Sequence, residues 1–411
     1  MSRSVFLSVC IAVVLILISG VFWCLHEHFV STYPPSKISP SSLVTVVAPQ
    51  SDGADLVVNN KMDTLGDNPP IVFTRDGNLY TVRLDDAAPV LLTNTGYDSS
   101  PYYMPQESKL LFIRTKSNRD ITGDVMGIDF STGRQTILLP ASVYGGRPDT
   151  GFMWLALSPK GDKLIVTEGN EAFGGSSLRL VSSDGQDLSP SITGCIPADG
   201  CAFNPDGNGL AFENKHTDVR ATLIYNLVWN KNPVPLIASG DTDYDADALW
   251  AESFSWRPDG HSITFFGYTY NNLVEGPKNG IYEVTTKGSV TPLYLTPGKW
   301  INSLHWLSAD RLAFIAMPAG EHKGAAPGTA EFCIFDAPTG KLSLLMSLKY
   351  EEGLPQWSWN PNRTAFVFQK EWRGCLWCKD LLTGAEMEIA GTEGAEPLEF
   401  TWGSDPFSSR Y

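Results

Sequence analysis

The chain has 411 residues, enough for one large repeat domain or two ordinary ones. Aromatic residues make up 11% and charged residues 18%, so the bulk folds around apolar cores and is not a disordered tail. A formal net charge of −15 repels phosphate backbones, which sets nucleic acid aside and leaves cations, basic peptides and neutral glycans as ligand classes.

Residues 1–30 read as a membrane anchor or signal segment. Arg3 precedes an uncharged run, Val5 to Trp23, long enough to cross a hydrocarbon core as a transmembrane helix. His26-Glu27-His28 follow it, so the positive-inside rule puts the rest of the chain outside the cytoplasm, in a periplasm or at a cell surface. A cleaved signal, leaving a secreted chain, is the rival. A lipid anchor at Cys24 is a third reading. Ser19-Gly20 is followed by bulky Val-Phe-Trp, and Trp23 stands where a lipidation site needs a small residue, so both rivals lack their usual residues. Residues 31–69 read as a tether, with Tyr33-Pro-Pro35, Ser39-Pro-Ser-Ser42 and Asn68-Pro-Pro70. An apolar island, Leu43 to Val47, lies between Pro40 and Pro49.

From residue 70 to 411 the pattern is short strands and turns, with no long amphipathic helix. An apolar residue followed by a Pro-Asp-Gly type of turn recurs at Tyr103, Leu157, Phe203, Trp256, Trp306, Trp359 and Trp402. These lie roughly fifty residues apart, a period that suits four-stranded propeller blades. In each repeat a first strand, A, ends at the apolar residue. Strand B follows the turn, as in Ile263–Gly267. Several C strands run into Asp-x-x-Thr-Gly hairpin turns at Asp129, Asp336 and Asp380, with strand D next. Trp402 closes an A strand with no B, C or D behind it, whereas residues 71–92 read as B, C and D with no A before them. Pairing the two ends removes two open sheet edges.

The expected fold is therefore all-β: a seven-bladed β-propeller of four-stranded antiparallel blades, closed by N- and C-terminal strands sharing one blade and preceded by a transmembrane helix. The repeat resembles the TolB-like, or PD40, group of WD40-like propellers. The residues carrying the resemblance are Asn204-Pro-Asp-Gly207 with Leu210-Ala-Phe212, Arg257-Pro-Asp-Gly260 with Ile263-Thr-Phe265, and Ser158-Pro-Lys-Gly161 with Leu164-Ile-Val166. The resemblance implies a protein-interaction or scaffold module. Similar propellers also gate prolyl-oligopeptidase-type hydrolases. The chain departs from both patterns, with no hydrolase domain following and more blades than the six typical of TolB.

Strand direction alternates, so A–B and C–D turns share one face and B–C and D–A loops the other. The long irregular segments fall on the second face, which is the expected binding surface. One of its loops, Asp241-Thr-Asp243-Tyr-Asp245-Ala-Asp247 through Glu252, spaces carboxylates as a Ca²⁺ loop does. Ala246 stands where such a loop needs a glycine, and a solvated acidic loop is the alternative. Tyr244, Trp250, Tyr268, Tyr270, Asn271, Asn272, Trp372 and Arg373 also fall on this face, where aromatic faces with Asn and Arg suit a sugar or an extended peptide.

Cys195 and Cys201 bracket a turn-rich loop and suit either a disulfide or two thiols. Cys375-Leu-Trp-Cys378 has redox spacing but falls in a predicted strand, where packing is the better account. His305 beside Trp306 reads as packed or solvated. Gly-x-Ser-x-Gly and His-Glu-x-x-His are both missing, so no catalytic residue is nominated. The functional expectation is a membrane-tethered extracytoplasmic propeller that binds a protein, peptide or glycan. The alternative is a propeller-fold polysaccharide lyase or glycosidase with its site at the channel mouth.

Overall fold

The computed structural model describes residues 69–402, except 87, 105–107, 118–122, 142–149, 171–174, 189–191, 194–200, 216–221, 229–233, 238–248, 270–277, 319–327, 351–355 and 398. The described strands form seven four-stranded antiparallel sheets. Six are built from consecutive strands and are numbered blades 1 to 6. Blade 1 comprises Asp98–Met104, Lys109–Arg114, Asp124–Asp129 and Arg134–Leu139, and blade 6 comprises Trp357–Trp359, Ala365–Gln369, Leu376–Asp380 and Glu386–Glu388. The remaining sheet is composite. Ile71–Arg75, Asn78–Val82 and Val90–Leu91 come from one end, and the two-residue strand Phe400–Thr401 comes from the other.

The expectation of a seven-bladed propeller led by a transmembrane helix is corrected accordingly. Six blades, not seven, are complete in one run of chain. The last sheet gains its fourth strand only where Val72 pairs with Thr401 and Phe73 with Phe400. Among the described residues no helix is long and apolar enough to cross a membrane, so an N-terminal transmembrane helix is not shown. Val5 to Trp23, which carried the helix expectation, lies outside the described residues.

The repeated apolar residues hold the blades together. All seven are buried, none more than 5% exposed. Two indole N–H groups reach across blades: Trp256 donates to the Ala202 carbonyl (3.0 Å) and Trp306 to Thr264 Oγ1 (3.1 Å). An indole that brings both apolar area and a satisfied donor suits a sheet-on-sheet interface. Between blades 5 and 6, Phe332 stacks on Phe366 with centroids 5.8 Å apart, and His305 lies flat on Trp359 at 5.4 Å. First strands touch from the composite sheet to blade 1, on through blade 5, and from blade 6 back to the composite sheet.

Each first strand must bend where it lines the centre. Bulges interrupt the A–B pairing in blades 1, 2, 4 and 5. Ser100, Ser253 and Ser303 sit there with φ of 53°, 46° and 53°, each three residues before its repeated aromatic. Glu399 holds that repeat position in the closing strand. Its carboxylate accepts from the Ser100 amide and from Thr74 Oγ1 (3.1 Å), which ties the seam to blade 1. Trp402 completes the seam by donating its indole N–H to the Pro69 carbonyl (2.8 Å) and its amide to Ser358 Oγ (2.9 Å).

The A–B turns are close-packed. Gly207 and Gly260 each donate to the residue three back, Asn204 and Arg257, at 2.9 Å. A Cβ at Gly207 would lie 3.5 Å from Pro159, and one at Gly260 would lie 3.6 Å from Pro205. Each of these turns leans on the proline of the preceding blade.

Candidate binding face

The opposite face carries the B–C and D–A loops, and from blade 6 through the composite sheet to blade 1 these loops are bonded to one another. The B–C loop of blade 6 runs from Gln369 to Leu376. The Gln369 side chain donates to the carbonyls of Gly374 (3.2 Å) and Ala395 (2.9 Å). Arg373 adopts φ 56°, a left-handed conformation that costs a non-glycine residue. Its carbonyl accepts from Gly394 N (3.0 Å), and its guanidinium pairs with Glu396 at 3.0 Å. These bonds fix the loop and leave Trp372 49% exposed at its tip.

The next loop, between blade 6 and the closing strand, is pinned by buried Thr392, which accepts from Leu376 N (2.8 Å) and donates to the Ile389 carbonyl (2.7 Å). Arg75 reaches under it. Its Nη1 donates to the carbonyls of Gly391 (3.0 Å) and Glu393 (3.2 Å), and its guanidinium lies 4.1 Å from the Tyr80 ring centre. Asp76-Gly77 then forms a two-residue hairpin with φ of 50° and 69°, the pair of left-handed residues that such a turn requires. A Cβ on Gly77 would lie 2.1 Å from the Gly96 carbonyl oxygen, so only glycine fits. Gly96 N donates to Asn78 Oδ1 (2.8 Å) and Asp98 N to the Gly77 carbonyl (2.8 Å). Beyond them Tyr97 is 41% exposed. Asp98 is fully buried and grips Arg114 at 2.6 Å (Nε–Oδ1) and 3.0 Å (Nη2–Oδ2), a two-point contact that fixes the start of blade 1.

The result is a shelf of tightly bonded backbone with an exposed aromatic at each end. Asp76, Glu371 and Glu393 are exposed along it, and their carboxylates have no ion-pair partner among the described residues. Its arginines are engaged with Glu396 and with loop carbonyls.

The nominated residues separate. Trp372 and Arg373 stand on the shelf. Tyr268 is in the core, 6% exposed, stacked on Phe266 at 5.6 Å, with its hydroxyl donating to Glu252 Oε1 at 2.7 Å. Glu252 is thus held by a neighbouring strand of its own blade. Asp241, Asp243, Tyr244, Asp245, Asp247, Tyr270, Asn271 and Asn272 lie outside the described residues, as does the side chain of Trp250. Among the described residues no group of three His, Cys, Asp or Glu side chains is placed to hold a metal. Cys378 is buried, and burial pushes its thiol up to about 12, while burial and then a hydrogen bond with Glu388 raise Cys375. Raised thiols are the reverse of what disulfide exchange needs. Cys201 is buried and Cys195 lies outside the described residues. Sequence reasoning missed Tyr97, Asp76 and Glu393. The Asp76-Gly77 pair was the available signal, because it marks a tight turn on the same face.

No protein-family model matches the sequence, and no curated protein does. Solved structures share the fold. The tricorn protease superposes with a TM-score of 0.56 at 12% identity, over 79% of this chain and 33% of its own. A puromycin-hydrolyzing peptidase of Mycobacterium tuberculosis gives 0.53 at 15% identity, over 78% of this chain and 50% of its own. The chain thus spans a third to a half of those two proteins. TolB from Acinetobacter baumannii is also similar, at 15% identity over 81% of this chain, with a TM-score of 0.44 that carries no further argument. At such identities the likeness speaks for the fold alone.

Proposed function

We propose that this chain is a propeller scaffold that binds a protein or peptide on its B–C/D–A face. One observation carries the reading. The two exposed aromatic residues among the described large hydrophobics, Tyr97 and Trp372, both stand on loops of that face, and the other exposed ones are aliphatic. Exposed aromatics on rigid loops make good binding anchors, because little side-chain freedom is lost when they are covered. On the opposite face the A–B turns at Gly207 and Gly260 pack on the prolines of the preceding blades. The similar solved chains named as peptidases make peptides the first ligand class to try.

In this reading the propeller works outside the cytoplasm, held to a membrane by Val5 to Trp23. That part rests on the sequence run and its flanking charge alone. Protease protection in spheroplasts tests it: cleavage of the propeller by added protease supports it, and protection overturns it.

Binding is tested by panning a displayed random-peptide library on the full chain and mapping each selected peptide by hydrogen exchange. Protection at residues 370–375, 389–397 and 92–98 is expected. Selected peptides that protect only the A–B turns or the outer strands overturn the reading.

A further inference from the structure

Resting on that reading, we infer that the shelf between Trp372 and Tyr97 takes a particular occupant: an extended segment of a partner protein that carries basic residues. Three features point to it.

The first is charge. Asp76, Glu371 and Glu393 are exposed along the shelf with no ion-pair partner among the described residues, whereas Arg373 and Arg75 are already engaged. The accessible field is negative, on a chain of net charge −15. Such a surface steers cationic partners and slows anionic ones.

The second is shape. The floor is backbone held in place by its own hydrogen bonds, and Gly77, Gly391 and Gly394 all have positive φ. A Cβ on Gly391 would meet Pro89 at 2.5 Å, so the backbone here is packed directly on the composite sheet. A low shelf that crosses three sheets suits an extended chain lying flat on it.

The third is the pair of end anchors. Trp372 and Tyr97 are each about half exposed, and an exposed aromatic ring accepts either an apolar side chain or a lysine or arginine cation. Arg373 stays left-handed at a position where glycine would relieve the backbone. Its pairing with Glu396 instead braces the loop that carries Trp372.

The probe is a fluorescein-labelled peptide, Lys-Phe-Lys-Ser-Lys-Phe-Lys, titrated into the full chain by fluorescence anisotropy. Its twin with glutamate in place of every lysine and the neutral glycan maltohexaose are run beside it. The basic peptide is expected to bind, with the acidic twin at least about tenfold weaker. Trp372→Ala and Tyr97→Ala should each weaken binding about tenfold. The triple variant Asp76→Asn, Glu371→Gln, Glu393→Gln should flatten the salt dependence. All these side chains are exposed, and unchanged melting temperatures will confirm that the variants fold. Equal binding of the two peptides, no binding of the basic one, or selective maltohexaose binding lost in Trp372→Ala each overturns the inference. If the basic peptide binds but ignores every shelf variant, the shelf assignment fails while loop-face binding stands or falls on its own library test.

Discussion

Asp129, Asp336 and Asp380 make the same residue-scale choice in three blades. Each opens a C–D turn and bonds the residues two or three ahead. Ser131 donates its hydroxyl to Asp129 at 2.5 Å, Thr339 does so to Asp336, and Thr383 donates its amide to Asp380 at 2.7 Å. These bonds favour the ionised form. The Ser131 hydroxyl is the largest cause at Asp129, the Thr339 hydroxyl at Asp336 and the Thr383 amide at Asp380, and all three carboxyls lie below the usual range. A folded value below the unfolded one stabilises the protein above the unfolded pKa, near 4, and that stability is lost as pH falls through the folded value. Urea unfolding at pH 6 and pH 3 should therefore show a smaller pH-dependent loss in the triple Asp→Asn variant than in the native chain. An unchanged loss would mean that these turns do not contribute to acid sensitivity.

At the scale of elements, the A–B turn was legible because its chemistry is local. Proline presets one dihedral, and the residue three past the turn's start must be left-handed. Gly161, Gly207 and Gly260 meet that need with φ of 73°, 68° and 70°. Blade 6 meets the same need with a non-glycine residue, Arg363, at φ 57°. Arg363→Gly should raise stability by about 1 kcal/mol and Gly260→Ala should lower it by a similar amount, both read by chemical denaturation. The same sign for both would refute the turn argument. The repeated Trp256, Trp306, Trp359 and Trp402 were likewise readable as core, since each ends an apolar strand at a fixed place in the repeat. Tyr268 was not. It falls just past the apolar run Ile263–Gly267, and the strand extends over it, Ser262–Thr269, buried at every position, with Glu252 and Phe266 as its partners.

For the whole molecule, the seam is the decisive feature. Two residues, Phe400 and Thr401, supply the closing pairs, and Glu399 and Trp402 bind outward to blade 1, blade 6 and Pro69. Removing residues 397–411 takes away a strand, a buried indole and the carboxylate that holds Ser100. Thermal unfolding followed by circular dichroism should shift to lower temperature and broaden. A truncated chain that melts like the complete one would show that the seam bears no load.

The sequence by itself determined the all-β class, the positions of the repeated core residues and the sidedness of turns and loops. All of these follow from patterns within a few residues: alternation, turn chemistry and strand direction. The tertiary structure alone decided which residues share the shelf. Trp372, Glu393, Asp76 and Tyr97 lie on four segments, far apart along the chain. They are brought together by the Arg75, Gly77, Gly394 and Gln369 hydrogen bonds between loops. A contact between distant segments depends on how three sheets pack, and no local pattern records it.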